Sequence, residues 1–141
     1  MKNFVFENAT KVYFGEGCVK EYLSCLAKKH GEKVLLAYGG GSIKKNGIYD
    51  EVTAILKDAG KEIIEFSGIM SNPTYAKVLE GAKLAKDHGA DWILGIGGGS
   101  VMDCCKAVSK AAVSEKDIWD EYWAKPGVID FDPLPLGVIE I

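Results

Sequence analysis

The sequence has few histidines, few prolines and no long apolar run, and each shortage excludes a class of protein. Only two histidines and four prolines occur among the 141 residues. No stretch approaches the roughly 18 consecutive apolar residues of a membrane span, so we expect no membrane association. The 17 basic and 20 acidic residues leave a net charge of −3, which argues against a strongly basic nucleic-acid-binding protein. The first residues form no secretory signal, so we expect a cytoplasmic protein.

The four cysteines form no pattern typical of a metal or redox site. Cys18 and Cys25 are seven residues apart on one face of a predicted helix, whereas Cys104 and Cys105 are adjacent and point in different directions. No C-x-x-C pair is present. We therefore expect small, buried apolar side chains at all four positions.

Glycine is abundant, with 17 residues, and much of it is ordered along the chain. Gly31, Gly60 and Gly89 each follow a predicted amphipathic helix and precede an apolar strand, predicted over 33–38, 62–66 and 91–96. We expect these glycines to end the helices in the left-handed conformation. Strands that alternate with helices predict an α/β fold: a Rossmann-like parallel sheet with helices on both faces.

Other segments complete the predicted fold. Residues 10–14 resemble an early strand, and residues 17–29 a first helix. A later helix is predicted to begin at Asn72-Pro73, with Asn72 as its N-cap. A further helix follows Gly99, and residues 135–141 form a last strand. We interpret residues 1–141 as a single domain.

Two glycine triplets mark the candidate site. Gly39–Gly41 (the first triplet) and Gly97–Gly99 (the second triplet) each lie where a predicted strand gives way to a helix. Residues without a Cβ let backbone N–H groups approach an anion, and a helix N-terminus adds free donors and positive potential. The second triplet with Ser100 therefore predicts a pyrophosphate site, although a tight turn without a ligand would also need one or two glycines. Neither G-x-G-x-x-G nor the P-loop pattern is present.

The first triplet predicts which dinucleotide is preferred. An acidic residue in this place would bind the ribose 2′-hydroxyl of NAD and repel a 2′-phosphate. The chain has glycine and Ser42 there, with Lys44 and Lys45 close behind. These charges favour NADP over NAD, unless the two lysines merely form a solvated start of a helix.

These segments together resemble the iron-containing alcohol dehydrogenases, in particular the butanol dehydrogenase-like branch. The resemblance lies in residues 38–47 (YGGGSIKKNG), 71–73 (SNP) and 97–103 (GGGSVMD), with support from residues 12–17 and 135–139. It implies a dehydroquinate synthase-like N-terminal domain that binds NAD(P). In that family a helical C-terminal half holds iron or zinc on an aspartate and three histidines.

The resemblance also implies roles for matching residues. Gly40, Gly41 and Ser42 would contact the adenosine ribose or its 2′-phosphate, with Gly40 at the position that is acidic in NAD-preferring relatives. Asn72 would lie against the nucleotide. The pyrophosphate would be held by Gly98, Gly99 and Ser100. Asp103 would lie near the nicotinamide and its ribose. We also expect its carboxylate to lie in the first turn of the helix that follows Gly99, where it would interact favourably with the helix dipole.

The sequence departs from the family in length. The family is more than twice as long, and its threonine-rich cofactor loop would begin just after Ile139. We therefore expect the last strands and the metal-binding half to be missing, so that neither iron nor zinc binds this chain. His30 and His88 each precede a helix-ending glycine, where a histidine suits the helix C-terminus. We assign no catalytic residue.

Three functions remain open. The chain is the NAD(P)-binding portion of an alcohol dehydrogenase, not active alone, or a non-catalytic nucleotide-binding or subunit module that needs a partner chain or self-associates. A homodimer could form through the N-terminal strand or the exposed sheet edge. An unrelated flavodoxin-like domain is the third alternative, and bound flavin would colour it yellow.

Overall fold

The computed structural model describes residues 3–124 and 131–141, and its centre is a parallel sheet of four strands. These are β1 (Lys33–Tyr38), β2 (Glu62–Phe66), β3 (Trp92–Ile96) and β4 (Leu136–Ile139). Their order in space is β2-β1-β3-β4, and every neighbouring pair is parallel. The most apolar segments, β1 and β3, occupy the two central positions, where both faces of a strand are buried. The predicted parallel sheet is confirmed.

The described residues include five α-helices, which cover the two faces of this sheet. They are α1 (Cys18–Lys29), α2 (Ser42–Lys45), α3 (Ile48–Asp58), α4 (Tyr75–His88) and α5 (Gly99–Ala111), and a π-helical turn follows at Trp119–Trp123. Side chains of α1, α2 and α3 pack with Val34, Leu36 and Tyr38. Those of α4 and α5 pack with Leu35 and Ala37. Alternate residues of β1 thus face opposite helical layers, which confirms the prediction of helices on both faces.

The predicted strand over residues 10–14 is wrong. Residues 3–14 form no helix or strand, and the side chains of Val12 and Phe14 are exposed. An extended segment becomes a strand only when its backbone pairs with a neighbour. Within the described part of the chain no strand lies beside it. The β-branched and aromatic residues of this segment were therefore insufficient to predict a strand here.

Two predictions about helix ends also need correction. Asn72 is not the N-cap of α4, because that helix begins at Tyr75 and Thr74 Oγ1 accepts a hydrogen bond from Lys77 N at 3.3 Å. Asn72 instead has a positive φ of 52°. Gly60 and Gly89 are left-handed as predicted, with φ of 74° and 68°, whereas Gly31 has no positive φ.

Gly31 is needed for a different reason, the close approach of a carboxylate. Asp91 accepts hydrogen bonds from Glu32 N at 2.8 Å and from Lys33 N at 3.1 Å. A Cβ on Gly31 would lie 2.1 Å from Asp91 Cγ and Oδ2. The side chain of Asp91 thus joins the start of β1 to the start of β3.

We expect Gly31→Ala and Asp91→Ala each to lower the free energy of unfolding by about 2 kcal/mol, because either change breaks the same two hydrogen bonds. Since the second change then removes nothing further, the double variant should cost little more than either single one. Urea denaturation measures all three values, and Asp87→Ala, at an exposed aspartate, is the control. Additive effects of Gly31→Ala and Asp91→Ala would contradict this coupling.

Candidate functional site

The two glycine triplets lie side by side at the carboxyl edge of the sheet. Tyr38 and Ile96, the last residues of β1 and β3, are register partners in adjacent strands. From β1 the chain passes to β2 on one side, and it then returns to β3 on the other side. The strand order therefore reverses between β1 and β3. Crevices at such reversals, outside the carboxyl ends of the strands, are where open α/β sheets bind ligands.

In the second triplet, one glycine serves the fold and two serve no packing purpose. Gly97 has a φ of 153°, and a Cβ there would lie 2.6 Å from Val101 Cγ2. Among residues 3–124 and 131–141, no atom would lie within 4 Å of a Cβ on Gly98 or Gly99. Gly98 is the N-cap of α5 with ordinary extended backbone, and no side chain caps the helix. The free N–H groups of the first turn can therefore receive an anion, and internal packing does not explain glycine at 98 and 99.

The first triplet repeats this division. A Cβ on Gly39 would lie 3.0 Å from the carbonyl oxygen of Ile69, whereas a Cβ on Gly40 or Gly41 would have no atom of the described residues within 4 Å. Gly41 is the N-cap of α2, which starts at Ser42 and lacks a side-chain cap. Both triplets thus leave an open backbone surface at the same sheet edge. A flat, anionic ligand that needs close backbone contact fits this surface.

Asn72 and Ser100 are brought together by the fold. Asn72 N donates a hydrogen bond to Ser100 Oγ at 3.4 Å, which joins the loop before α4 to the first turn of α5. The left-handed backbone of Asn72 turns the loop at this point. Their separation of 28 residues in sequence gives no sign of this contact, and the contact of Asn72 with a nucleotide stays a prediction.

Asp103 lies on the exposed side of α5. It is the fifth residue of the helix and therefore outside the first turn, which corrects the expected favourable interaction with the helix dipole. Its carboxylate lies 3.6 Å from Lys106 Nζ. It also lines an open cavity of about 480 Å³ between α4, α5 and the π-helical turn, whose walls include Tyr75, Trp119 and Trp123. The sequence analysis did not find this cavity, although three aromatic residues within 117–123 were a signal.

The sequence analysis also missed a cluster of polar groups next to the first triplet, at the end of β1. Tyr38 Oη donates to Glu65 Oε2 at 2.5 Å, and Tyr49 Oη donates to Glu65 Oε1. Burial and the hydrogen bond to Glu65 raise the pKa of Tyr38, and the hydrogen bond raises the pKa of Tyr49 to about 12. Both hydroxyls are therefore protonated donors at neutral pH. A charged residue in the apolar segment EIIEF was the available signal.

The structure separates the two lysines that were expected to favour NADP. Lys44 Nζ lies 4.7 Å from the ring centroid of Tyr49 and 5.5 Å from that of Tyr38. Lys45 is exposed, and its ammonium has no hydrogen-bond or charge partner among residues 3–124 and 131–141. The Lys44 ammonium thus contacts two aromatic rings, whereas the Lys45 ammonium is the one left available for a ligand.

The histidines lie at the opposite edge of the sheet. His30 is the C-cap of α1 and stacks on Trp92 with 5.3 Å between ring centroids, and His88 is the last residue of α4. In the described ranges no group of three or more His, Cys, Asp or Glu could hold a metal ion. These residues do not fit the iron or zinc that the resemblance implies. The helices that the structure describes include none long and apolar enough to cross a membrane.

The cysteines divide into two classes, which partly corrects the prediction that all are buried. Cys104 and Cys105 are buried, but Cys18 is half-buried and Cys25 is exposed. All four are free, the state that a reducing compartment maintains, and a cytoplasmic location stays a prediction. Burial raises the pKa of the Cys104 thiol to about 11 and that of Cys105 to about 12.

At pH 8 we expect an aromatic disulfide reagent to label Cys25 first and Cys18 more slowly, with Cys104 and Cys105 labelled only after denaturation. The two buried thiols are protonated and shielded, and only a thiolate attacks a disulfide. Mass spectrometry of the labelled peptides measures the order, and Cys25→Ser should remove the fastest phase. Rapid labelling of Cys104 in the folded chain would contradict the packing of α5.

Comparison with known proteins finds similar sequences over nearly all of the chain. A sequence model described as iron-containing alcohol dehydrogenase matches residues 9–140. The chain is 45% identical over 139 residues to a probable NADH-dependent butanol dehydrogenase of Bacillus subtilis, covering 99% of this chain and 35% of that protein. It is 38% identical to the NADPH-dependent aldehyde reductase of Escherichia coli, covering 79% of this chain and 28% of that protein.

A solved structure agrees in fold. The NADH-dependent butanol dehydrogenase A of Thermotoga maritima superposes with a TM-score of 0.82 at 43% identity, over 99% of this chain and 34% of that one. The chain thus spans about a third of the length of the relatives it matches.

Proposed function

This chain belongs to the iron-containing alcohol dehydrogenase family, and from that membership we propose that residues 1–141 form a domain that binds NADP or NAD at the carboxyl edge of its sheet. The proposal rests on the open surface at Gly40, Gly41, Gly98 and Gly99. The described structure has room for a side chain at each of these positions, so internal packing does not explain why each is a glycine. The printed names of relatives include NADH-dependent and NADPH-dependent enzymes.

The chain's own residues would hold the dinucleotide in two places. The pyrophosphate would be bound at Gly98, Gly99 and Ser100, because the uncapped N–H groups of the first turn of α5 lie there. Gly40, Gly41 and Ser42 would contact the adenosine ribose. Asn72 would lie against the nucleotide, and Asp103 would lie near the nicotinamide and its ribose. A bound nicotinamide supplies hydride transfer, and the protein positions it and excludes water.

Calorimetric titration of the 141-residue chain with NADP and with NAD tests this proposal. We propose NADP as the preferred dinucleotide, because no acidic residue stands at Gly40 and because Lys45 is uncommitted. Tighter binding of NADP is the expected result. Equal or reversed affinities would overturn the preference for NADP. If neither nucleotide gave a heat of binding, the proposed dinucleotide-binding function would be overturned. An absorbance spectrum without a flavin band is expected at the same time.

We further propose that the 141-residue chain does not oxidise alcohols or reduce aldehydes alone. The described side chains provide no set of ligands that would polarise a carbonyl oxygen through a metal. The assay follows NADPH oxidation with butanal, with added Fe²⁺ or Zn²⁺ and without. Robust metal-dependent turnover by the purified chain would overturn this proposal.

A second candidate function, a self-associating or subunit module, is favoured by the exposed N-terminal segment. Val5 is 98% exposed and Phe14 100% exposed, and Phe4, Phe6 and Val12 are also exposed. Apolar side chains in a contiguous segment favour a partner surface. We propose a homodimer in which this segment contacts a second copy of the chain.

Light scattering after size exclusion should give twice the chain mass for the wild-type protein and the chain mass for the double variant Val5→Asp/Phe14→Asp. The two carboxylates would place charge in an apolar interface, which desolvation opposes. Val113→Asp, at an exposed apolar residue after α5, is the matched control and should remain dimeric. A wild-type monomer at high concentration would contradict the dimer.

A further inference from the structure

A cluster of two tyrosines and one glutamate, Tyr38, Tyr49 and Glu65, supports the turn that carries the first triplet. The hydroxyls of Tyr38 and Tyr49 donate to the two carboxylate oxygens of the same glutamate. Their rings meet edge to face, with centroids 5.6 Å apart and planes at 67°. Both acceptor oxygens of Glu65 are thus committed to phenols, and three elements (β1, α3 and β2) are joined at one point.

Lys44 completes this tyrosine–glutamate cluster from the fourth element, α2. Its ammonium lies within cation–π distance of both rings, 4.7 Å from the centroid of Tyr49 and 5.5 Å from that of Tyr38. A phenol that donates to a carboxylate carries more negative charge on its ring, and this strengthens its attraction for a cation. Ile43, the neighbouring residue of α2, is buried among the apolar side chains of the same face. The short helix is therefore held at two successive residues.

The position of the cluster connects it with the candidate site. Tyr38 is the last residue of β1 and immediately precedes Gly39, while α2 begins directly after Gly41. The first triplet is thus fixed on both sides by residues of the cluster or of α2. Gly39 is also held by its carbonyl oxygen, which accepts a hydrogen bond from Gly68 N at 2.9 Å. Any ligand of Gly40 and Gly41 would meet a backbone that lies between Tyr38 of the cluster and the start of α2.

We infer that Lys44 is a positioning residue that holds the ribose-binding turn through the tyrosine–glutamate cluster, and that Lys45 alone discriminates for a ribose 2′-phosphate. This inference rests on the proposed function. Lys44 acts on NAD and NADP equally, because it shapes backbone that both would contact. Lys45, with its uncommitted charge, interacts only with the additional phosphate of NADP. Two adjacent lysines thereby have separable roles.

Matched variants Lys44→Gln and Lys45→Gln test the inference with two small probes, adenosine 2′,5′-bisphosphate and 5′-AMP. Each needs only the adenosine subsite, and they differ by the 2′-phosphate. We expect Lys45→Gln to weaken the bisphosphate about 5- to 10-fold and to leave 5′-AMP unchanged. Lys44→Gln should weaken both probes by one common factor of about threefold, so that their affinity ratio is unchanged. A selective loss of the bisphosphate in Lys44→Gln would overturn the inference.

A measurement without nucleotide separates this inference from the proposed function. Lys44→Gln should lower the melting temperature by about 2–4 °C because it removes the cation–π contacts, and Lys44→Arg should restore it. Lys45→Gln should leave the melting temperature unchanged. Equal melting temperatures of the two glutamine variants would overturn the role of Lys44. If the wild-type chain binds neither probe while this stability difference is present, the proposed function and the role of Lys45 fail, and the role of Lys44 in holding the turn is retained.

Discussion

We expect the Gly98→Asp variant to lose about 100-fold or more in affinity for both NADP and NAD while its melting temperature stays within about 2 °C of the wild-type value. Gly98 is the N-cap of α5, has extended backbone and leaves room for a Cβ. Aspartate is a favoured N-cap, so the fold tolerates it or gains from it. The same carboxylate would occupy the free N–H groups of the helix and repel a pyrophosphate. Calorimetry and thermal unfolding measure the two quantities.

The neighbouring glycine provides the control for this prediction. Gly97→Ala should lower the melting temperature by about 5 °C or more, because its Cβ would lie 2.6 Å from Val101 Cγ2 at a φ of 153°. The two variants thus separate a glycine kept for packing from a glycine kept for a ligand. Affinity like that of the wild-type chain in Gly98→Asp would show that a pyrophosphate binds elsewhere.

The second large effect is expected in dinucleotide choice. Gly40→Asp should weaken NADP binding by about 100-fold and strengthen NAD binding severalfold, because a carboxylate repels a 2′-phosphate and accepts a hydrogen bond from a 2′-hydroxyl. The structure provides space, since a Cβ at Gly40 meets no atom within 4 Å in the part of the chain that is described. Titration of each variant with both dinucleotides measures the ratio of the two affinities.

Gly40→Asn is the matched variant for this change. Its amide has nearly the shape of the carboxylate and can still accept a hydrogen bond, but it carries no charge. We expect it to weaken NADP by only a few fold. If Gly40→Asp weakened NAD and NADP equally, Gly40 would not lie beside the 2′-position of the ribose.

Local sequence patterns predicted much of the fold because they depend on interactions within one element. The predicted strand bounds agree with β1 and β2 and differ by one residue at the start of β3. The predictions are wrong where the local conformation depends on a residue distant in sequence. Residues 10–14 have the β-branched and aromatic residues of a strand but no described partner strand, and Gly31 meets the carboxylate of Asp91, 60 residues away along the chain. No local pattern contains either fact.

The candidate site shows the same division. Both triplets, Asn72, Ser100 and Asp103 were identified from sequence or resemblance, and their proposed roles remain to be tested. The sequence could not separate Lys44 from Lys45, because the difference depends on tyrosines from β1 and α3. Nor could it separate Gly97 from Gly98, since the difference depends on the position of Val101 and on the φ of 153° at Gly97.

The amino-acid sequence by itself determined the α/β class, the positions of most strands and helices and the two glycine-rich turns, because hydrophobic period, helix ends and glycine content are local properties. Only the tertiary structure decided that β1 and β3 are neighbours, so that both triplets open onto one crevice. It also decided which glycines are needed for packing and which lysine contacts the tyrosine rings. Strand order and side-chain contacts depend on residues distant in sequence, whose separations no local pattern specifies.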